Sequence, residues 1–196
     1  SERWWKRFAD VKAPISSPEQ LWCLLNPMTP GLNRVEADEL SYGIHILIRT
    51  DLEIAMLEGG LEVKDLPEEW NRRYTDLLGI TPGNDVEGCL QDVHWSEGLF
   101  GYFPSYLLGH LISAQLSESM AKDLIENGVQ GPDPINKIIF SGQESSLLTW
   151  LRINVHSLGR QVNAEELVEK VSGKRLSSAP FLRYLEAKLE HLDSAT

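Results

Sequence analysis

Two short stretches hold most of the residues able to do chemistry. The first is Arg34-Val35-Glu36-Ala37-Asp38-Glu39-Leu40; the second is Gly88-Cys89-Leu90-Gln91-Asp92-Val93-His94-Trp95, followed by Gly98 and Gly101-Tyr102-Phe103-Pro104-Ser105-Tyr106. In the second stretch Gln91, Asp92 and His94 are polar residues set in an aromatic, glycine-rich run, a composition that lets backbone and polar side chains come close to a ligand. An imidazole at position 94 can donate a hydrogen bond to a developing oxyanion, with Asp92 or Gln91 fixing its tautomer. Tyr106 falls in the first turn of the helix that Pro104 opens, where its phenol and the helix N-terminus both favour developing negative charge. The plainer alternative, which residue types alone favour, is that His94 and Trp95 satisfy a buried loop.

The elements that must position these residues are helical. Period-2 alternation is scarce, and apolar residues recur at spacings of three and four. Trp4, Trp5 and Phe8 fall on one side of a helical segment over residues 2–8. Ser17-Pro18-Glu19 is a start signal leading into Gln20–Asn26. The longest helix is expected from about Glu36 to Glu58, closed by Gly59-Gly60, with Ile44-His45-Ile46-Leu47-Ile48 buried on more than one side. Asp65-Leu66-Pro67-Glu68 starts a helix that carries Trp70, Tyr74, Leu77 and Leu78 and stops at Gly79, with Asp65 as its candidate cap. A loop over 80–103 precedes a helix from Pro104 to about Glu126. Beyond a Gly/Pro/Asp linker come an apolar segment from Ile135 to Phe140 and a helical face of Leu147, Leu151, Val155 and Leu158. Asn163-Ala164-Glu165-Glu166 reads as a capping box, and Ser178 and Pro180 open an amphipathic helix with Phe181, Leu182, Leu185, Leu189 and Leu192. The whole of 1–196 reads as a single all-α, bundle-like helical region.

Composition narrows the function. The 196 residues are 42% hydrophobic and carry 18 Lys and Arg against 29 Asp and Glu, a net charge of −11. Such a surface repels phosphate backbones and anionic membranes, so neither nucleic acid nor a membrane is an expected partner. The uncharged run from Gly98 to Leu116 is divided by Pro104 and falls short of the ~20 residues a membrane span needs. The first residues lack the apolar core of a signal peptide. Cys23 and Cys89 lack the spacing of a metal or redox motif and read as buried, inert thiols in a reducing, cytoplasmic compartment.

The motifs resemble a known family. Arg34-Val35-Glu36-Ala37-Asp38 and Gly88-x-x-Gln91-Asp92-x-His94-Trp95 are similar to two signatures of the carboxypeptidase Taq family, zinc metallocarboxypeptidases of mostly helical fold. Leu66-Pro67-Glu68-Glu69-Trp70-Asn71, Asn84-Asp85-x-Glu87-Gly88, Gly101-Tyr102-Phe103-Pro104 and Pro180-Phe181-Leu182-Arg183-Tyr184-Leu185 fit the same family in collinear order. The resemblance implies that His94 and Tyr106, with Tyr102 as a weaker candidate, stabilise the tetrahedral intermediate. It implies that Arg34 holds the substrate's terminal carboxylate through two parallel hydrogen bonds. Asp38, Gln91, Asp92 and Trp95 would support these groups from behind. Asn33 departs from the family, which usually has an apolar residue there.

The family's metal motif, His-Glu-x-x-His, does not occur in the sequence, whose histidines are His45, His94, His110, His156 and His191. The resemblance therefore implies the C-terminal part of such an enzyme. Zinc would be held elsewhere, none would be bound by this chain, and the chain alone would be inactive. Peptide C-termini are the implied ligand once the metal-bearing half is supplied. A non-catalytic helical interaction module derived from the family is the alternative. A new metal site is disfavoured, since only His94 and His110 are candidates to be neighbours. His45, His110 and His156 are expected to be satisfied core histidines, and His191 to be solvent-exposed. Trp70, Tyr74 and Trp150 are expected to pack the core. Surface normally covered by the missing half would favour a homo-oligomer.

Overall fold

A computed structural model describes residues 17–195, so the segment around Trp4, Trp5 and Phe8 lies outside the described residues. Among the described residues the regular structure is eight α-helices and three short 3-10 turns, with no strand. The helices are α1 (Pro18–Leu25), α2 (Glu39–Leu57), α3 (Leu66–Leu78), α4 (Phe103–Glu126), α5 (Pro134–Ser141), α6 (Glu144–Asn154), α7 (Ala164–Ser172) and α8 (Ala179–Ala195). No helix among the described residues is long and apolar enough to cross a membrane.

The residues divide into two compact units, Glu19–Leu108 and Gly109–Ser194. The first is centred on α2 and α3, where Ile48, Leu52, Leu66, Trp70, Tyr74, Leu78 and Cys89 form one buried cluster. In the second, Met120, Leu124 and Ile138 are covered by Ile135, Leu147, Trp150 and Leu151. Trp150 is half-buried there, and its indole N–H donates to Asp123 at 2.7 Å.

Several ends follow directly from local chemistry. The Asn163 side chain accepts from the Glu166 N–H while Glu166 accepts from the Asn163 N–H, the reciprocal capping box expected at the start of α7. Gly79 closes α3 in the left-handed conformation, φ 71°, which a residue without Cβ adopts at no steric cost. Two boundaries differ from the sequence reading. The long helix starts at Glu39 rather than Glu36, because Asp38 caps it and Arg34–Glu36 forms a separate 3-10 turn. Asp65 makes no capping hydrogen bond with its side chain, because the turn Val63–Asp65 runs straight into α3.

Candidate active site

The centre of the site is a carboxylate between two guanidinium groups. Asp92 Oδ1 accepts from Arg34 Nη2 at 2.7 Å and Nε at 3.1 Å, and Asp92 Oδ2 accepts from Arg49 Nε at 2.6 Å. All three side chains are nearly sealed from solvent. Burial alone would raise the Asp92 carboxyl, but its hydrogen bonds and charge contacts with Arg34 and Arg49 outweigh it and hold the group below the ordinary carboxylate value.

Arg49 organises the surroundings. Its side chain is fully buried and donates Nη1 to the His45 carbonyl at 2.9 Å and the Tyr74 hydroxyl at 3.1 Å, and Nη2 to Gln91 Oε1 at 2.7 Å. Its guanidinium also lies 4.6 Å from the Trp70 ring centroid, a cation–π contact. Gln91 is used on both ends of its amide. Oε1 also accepts from the Arg34 N–H at 3.1 Å, and Nε2 donates to the Leu32 and Glu87 carbonyls at 3.0 and 2.9 Å. One amide thus joins the turn at 32–34, helix α2 and the loop before Asp92. The glycine of the motif has a steric reason: a Cβ on Gly88 would stand 3.3 Å from the Asn84 carbonyl oxygen and 3.5 Å from the Trp70 ring.

His94 projects from this anchored loop. It is buried, its Nε2 is 3.1 Å from the Tyr106 hydroxyl, and its ring lies 4.4 Å from that of Phe103. Its Nδ1 has no hydrogen-bond partner among the described residues, and Asp92 Oδ1 at 3.7 Å is too far for a bond. Tyr102, half exposed, meets both His94 and Tyr106 at ring-centroid distances of 5.6 and 5.4 Å. Trp95 packs edge-on against Trp70 and Phe103 and so forms a wall behind the histidine.

The model for the carboxypeptidase Taq (M32) metallopeptidase family matches residues 3–189. The chain belongs to the M32 family. It is 40% identical over 189 residues to thermostable carboxypeptidase 1 of Thermus thermophilus, covering 95% of this chain and 36% of that protein. Carboxypeptidase 1 of Bacillus subtilis is 40% identical over 168 residues, 86% of this chain and 32% of the relative. Among solved structures, metallocarboxypeptidase 1 of Trypanosoma cruzi matches with a TM-score of 0.84 at 32% identity, over 93% of this chain and 36% of that one. The helical M32 fold is therefore shared, and this chain spans about a third of the length of the relatives it matches.

A metallopeptidase needs a ligand set, and the described M32 residues do not fit one. No group of three or more His, Cys, Asp or Glu among them is placed to hold an ion. His45 binds Tyr74 through Nδ1 at 3.0 Å and sits next to the Arg49 charge, which repels a cation; His94 is engaged by Tyr106.

The expected residues come together unequally. Arg34, Gln91, Asp92, His94, Trp95, Tyr102 and Tyr106 form one cluster around Phe103. Asp38 stands apart as the α2 cap, accepting from the Leu40 and Ser41 N–H groups at 2.9 Å. Arg34 does not present an empty fork, since Asp92 takes Nε and Nη2 and only Nη1, 3.5 Å from the Tyr42 hydroxyl, is loosely held. Asn33 has a structural use: its side chain accepts from the Val35 N–H at 3.0 Å and caps the 3-10 turn.

Other expectations need correction. Cys89 is buried, and its thiol is pushed up first by burial, but Cys23 is only half-buried. His110 and His156 lie exposed rather than in a core, although the His110 ring still meets Phe181 edge-on at a centroid distance of 5.8 Å. Tyr74 packs as expected, yet its hydroxyl also belongs to the Arg49 network. Arg49 and Glu53 were missed. Ser41, His45, Arg49 and Glu53 are all buried and recur every fourth residue, a polar line along one face of α2. That period was the signal for them. Glu53 accepts from the Gly101 N–H and ties the loop before Tyr102 to the same helix.

Proposed function

We propose that this chain supplies the substrate-binding and oxyanion side of a metallocarboxypeptidase cleft, acting on peptides at their free C-terminus. The observation that carries the reading is the His94–Tyr106 pair, held at 3.1 Å over a carboxylate that two arginines have already satisfied. With the proton on Nε2, His94 donates to the Tyr106 oxygen and leaves the phenolic proton free for a scissile carbonyl that is gaining negative charge. With the proton on Nδ1, the phenol turns inward and donates to Nε2. Because Arg34 and Arg49 engage both Asp92 oxygens, nothing fixes the Nδ1–H tautomer, and the productive form is accessible. Tyr106 is then the group that touches substrate, and His94 directs its proton.

Arg34 braces Asp92 and offers its Nη1 edge to a substrate carboxylate, a single contact rather than a fork. Metal ligands for the reaction would come from residues outside these 196, and without them the chain hydrolyses nothing. The test is complementation with a polypeptide carrying His-Glu-x-x-His, reading release of the last residue from a blocked dipeptide. Tyr106→Phe should lower kcat by about a hundredfold with a smaller change in KM, the size expected for loss of one oxyanion donor. An unchanged kcat would remove Tyr106 from the chemistry. A stable complex that releases nothing would identify a non-catalytic binding module of the family.

A further inference from the structure

Within residues 109–194 lies a pocket of about 270 Å³ with an unusual charge balance. Lys122 on α4, Lys174 and Arg175 in the loop between α7 and α8, and Arg183 on α8 line it, against one carboxylate, Glu118. The chain as a whole carries 29 Asp and Glu against 18 Lys and Arg, so this clustering runs against its composition. Glu118 is neutralised in place, since Arg183 donates Nε to it at 2.9 Å and Nη2 at 2.7 and 2.9 Å. Among the described residues Lys122 has a long, exposed contact of 3.7 Å with Glu126, too weak to hold it. No ion pair of Lys174 or Arg175 is found among the described residues.

The loop that carries these two cations is built rather than loose. Gln115, 4% exposed, donates Nε2 to Ser172 Oγ at 2.9 Å and to the Arg175 carbonyl at 3.1 Å, with the Lys174 carbonyl at 3.4 Å, while its Oε1 accepts from the Ser177 N–H at 3.0 Å. A buried amide thus fixes the backbone and leaves the charged ends free at the pocket. Ala179 and Pro180, the first residues of α8, also line it, so the positive end of a 17-residue helix adds to the same potential.

We propose that this pocket binds a small multivalent oxyanion, a phosphate ester or a polycarboxylate, at a site independent of the peptide cleft. Its volume lies near the lower end of small-molecule sites, and its lining charge calls for an anion of two or more charges. The experiment is titration calorimetry on the full chain, in chloride buffer of constant ionic strength, with inorganic phosphate and with citrate as probes. One saturable site per chain is expected, weakened at least tenfold in Lys174→Ala/Arg175→Ala. Both residues are exposed and the loop is held through its backbone, so the double variant should keep its helical circular dichroism. Tighter binding of phosphate would assign the ligand to phosphate esters, and tighter binding of citrate to polycarboxylates. The proposal fails if neither anion binds beyond chloride, or if the folded double variant binds as the parent does.

Discussion

Arg49 and Arg183 make the same kind of bond in different surroundings, and their expected energetic weights differ accordingly. Arg183 and Glu118 are about half exposed, so solvent screening leaves their pair worth less than about 1 kcal/mol. Arg49 is sealed, and removing it would strip Asp92 Oδ2 of its donor and take one hydrogen bond each from Gln91, Tyr74 and the His45 carbonyl in a buried site. Arg49→Met should therefore cost about 3 kcal/mol or more in urea unfolding, while Arg183→Gln stays within about 1 kcal/mol. Equal costs would mean that the Asp92 cluster is not the buried network described. His45 adds a pH dependence. Burial first, and the Arg49 charge second, push it from 6.5 down to about 4. Between those values an unfolded chain binds a proton that the folded one refuses, so stability falls as pH drops through the window, by an amount on the order of 3 kcal/mol. Asp92, held low, loses stability in the same direction at still lower pH. Unfolding midpoints at pH 7, 5.5 and 4.5 should decline, and decline less steeply in His45→Gln, which has no charge to gain. At this scale the sequence displayed His94 and Tyr106 through motif spacing. It hid Arg49, because a lone arginine inside a helix reads as a solvent-facing residue until its register with Ser41 and His45 is noticed.

Helix ends were readable wherever one residue decides them. The capping box at Asn163 is such a case, and Asn163→Ala should destabilise the chain by about 1 kcal/mol in thermal or chemical unfolding, with the loss confined to a helix outside the cleft unit. No measurable change would mean that packing of Val168, which is fully buried, fixes α7 without its cap. Ends decided by tertiary contacts were not readable. Arg34 leaves the helical path because its N–H must reach Gln91, 57 positions on. Nothing local in Arg34-Val35-Glu36 announces that demand, and it is the Asp38 cap, a local signal, that sets the start of α2 three residues later than expected. The pocket between α4, α7 and α8 was invisible for the same reason: its four cations come from three separate segments, of which the Lys174-Arg175 pair is the longest basic run.

What the chain does as a whole depends on what covers α2. Leu40, Leu47 and Ile54 recur every seventh residue on one face and are 38%, 52% and 47% exposed, with Leu57 at 65% beyond them. The sequence reading expected this helix to be buried on more than one side. Residues 44–48 meet that expectation only in part, since His45, Ile46 and Ile48 are buried and Leu47 is open. A repeat of seven on a helix is the pattern that packs against another helix. Because the chain spans about a third of its M32 relatives, a longer polypeptide has residues available to cover this stripe. In the isolated chain a second copy is the available cover, and self-association is the expected outcome. Charge opposes it: at −11 two copies repel, and the repulsion is screened over about 8 Å at physiological ionic strength. Light scattering should therefore show a mass that rises with concentration and rises further with added salt. Leu47→Glu/Ile54→Lys should return the mass to that of one chain without loss of helical signal, because neither side chain belongs to the buried cluster around Ile48 and Leu52. A single-chain mass at every concentration and salt level would show that the stripe is too weak to recruit a copy, and that only a covalently continuous or chemically different partner covers it.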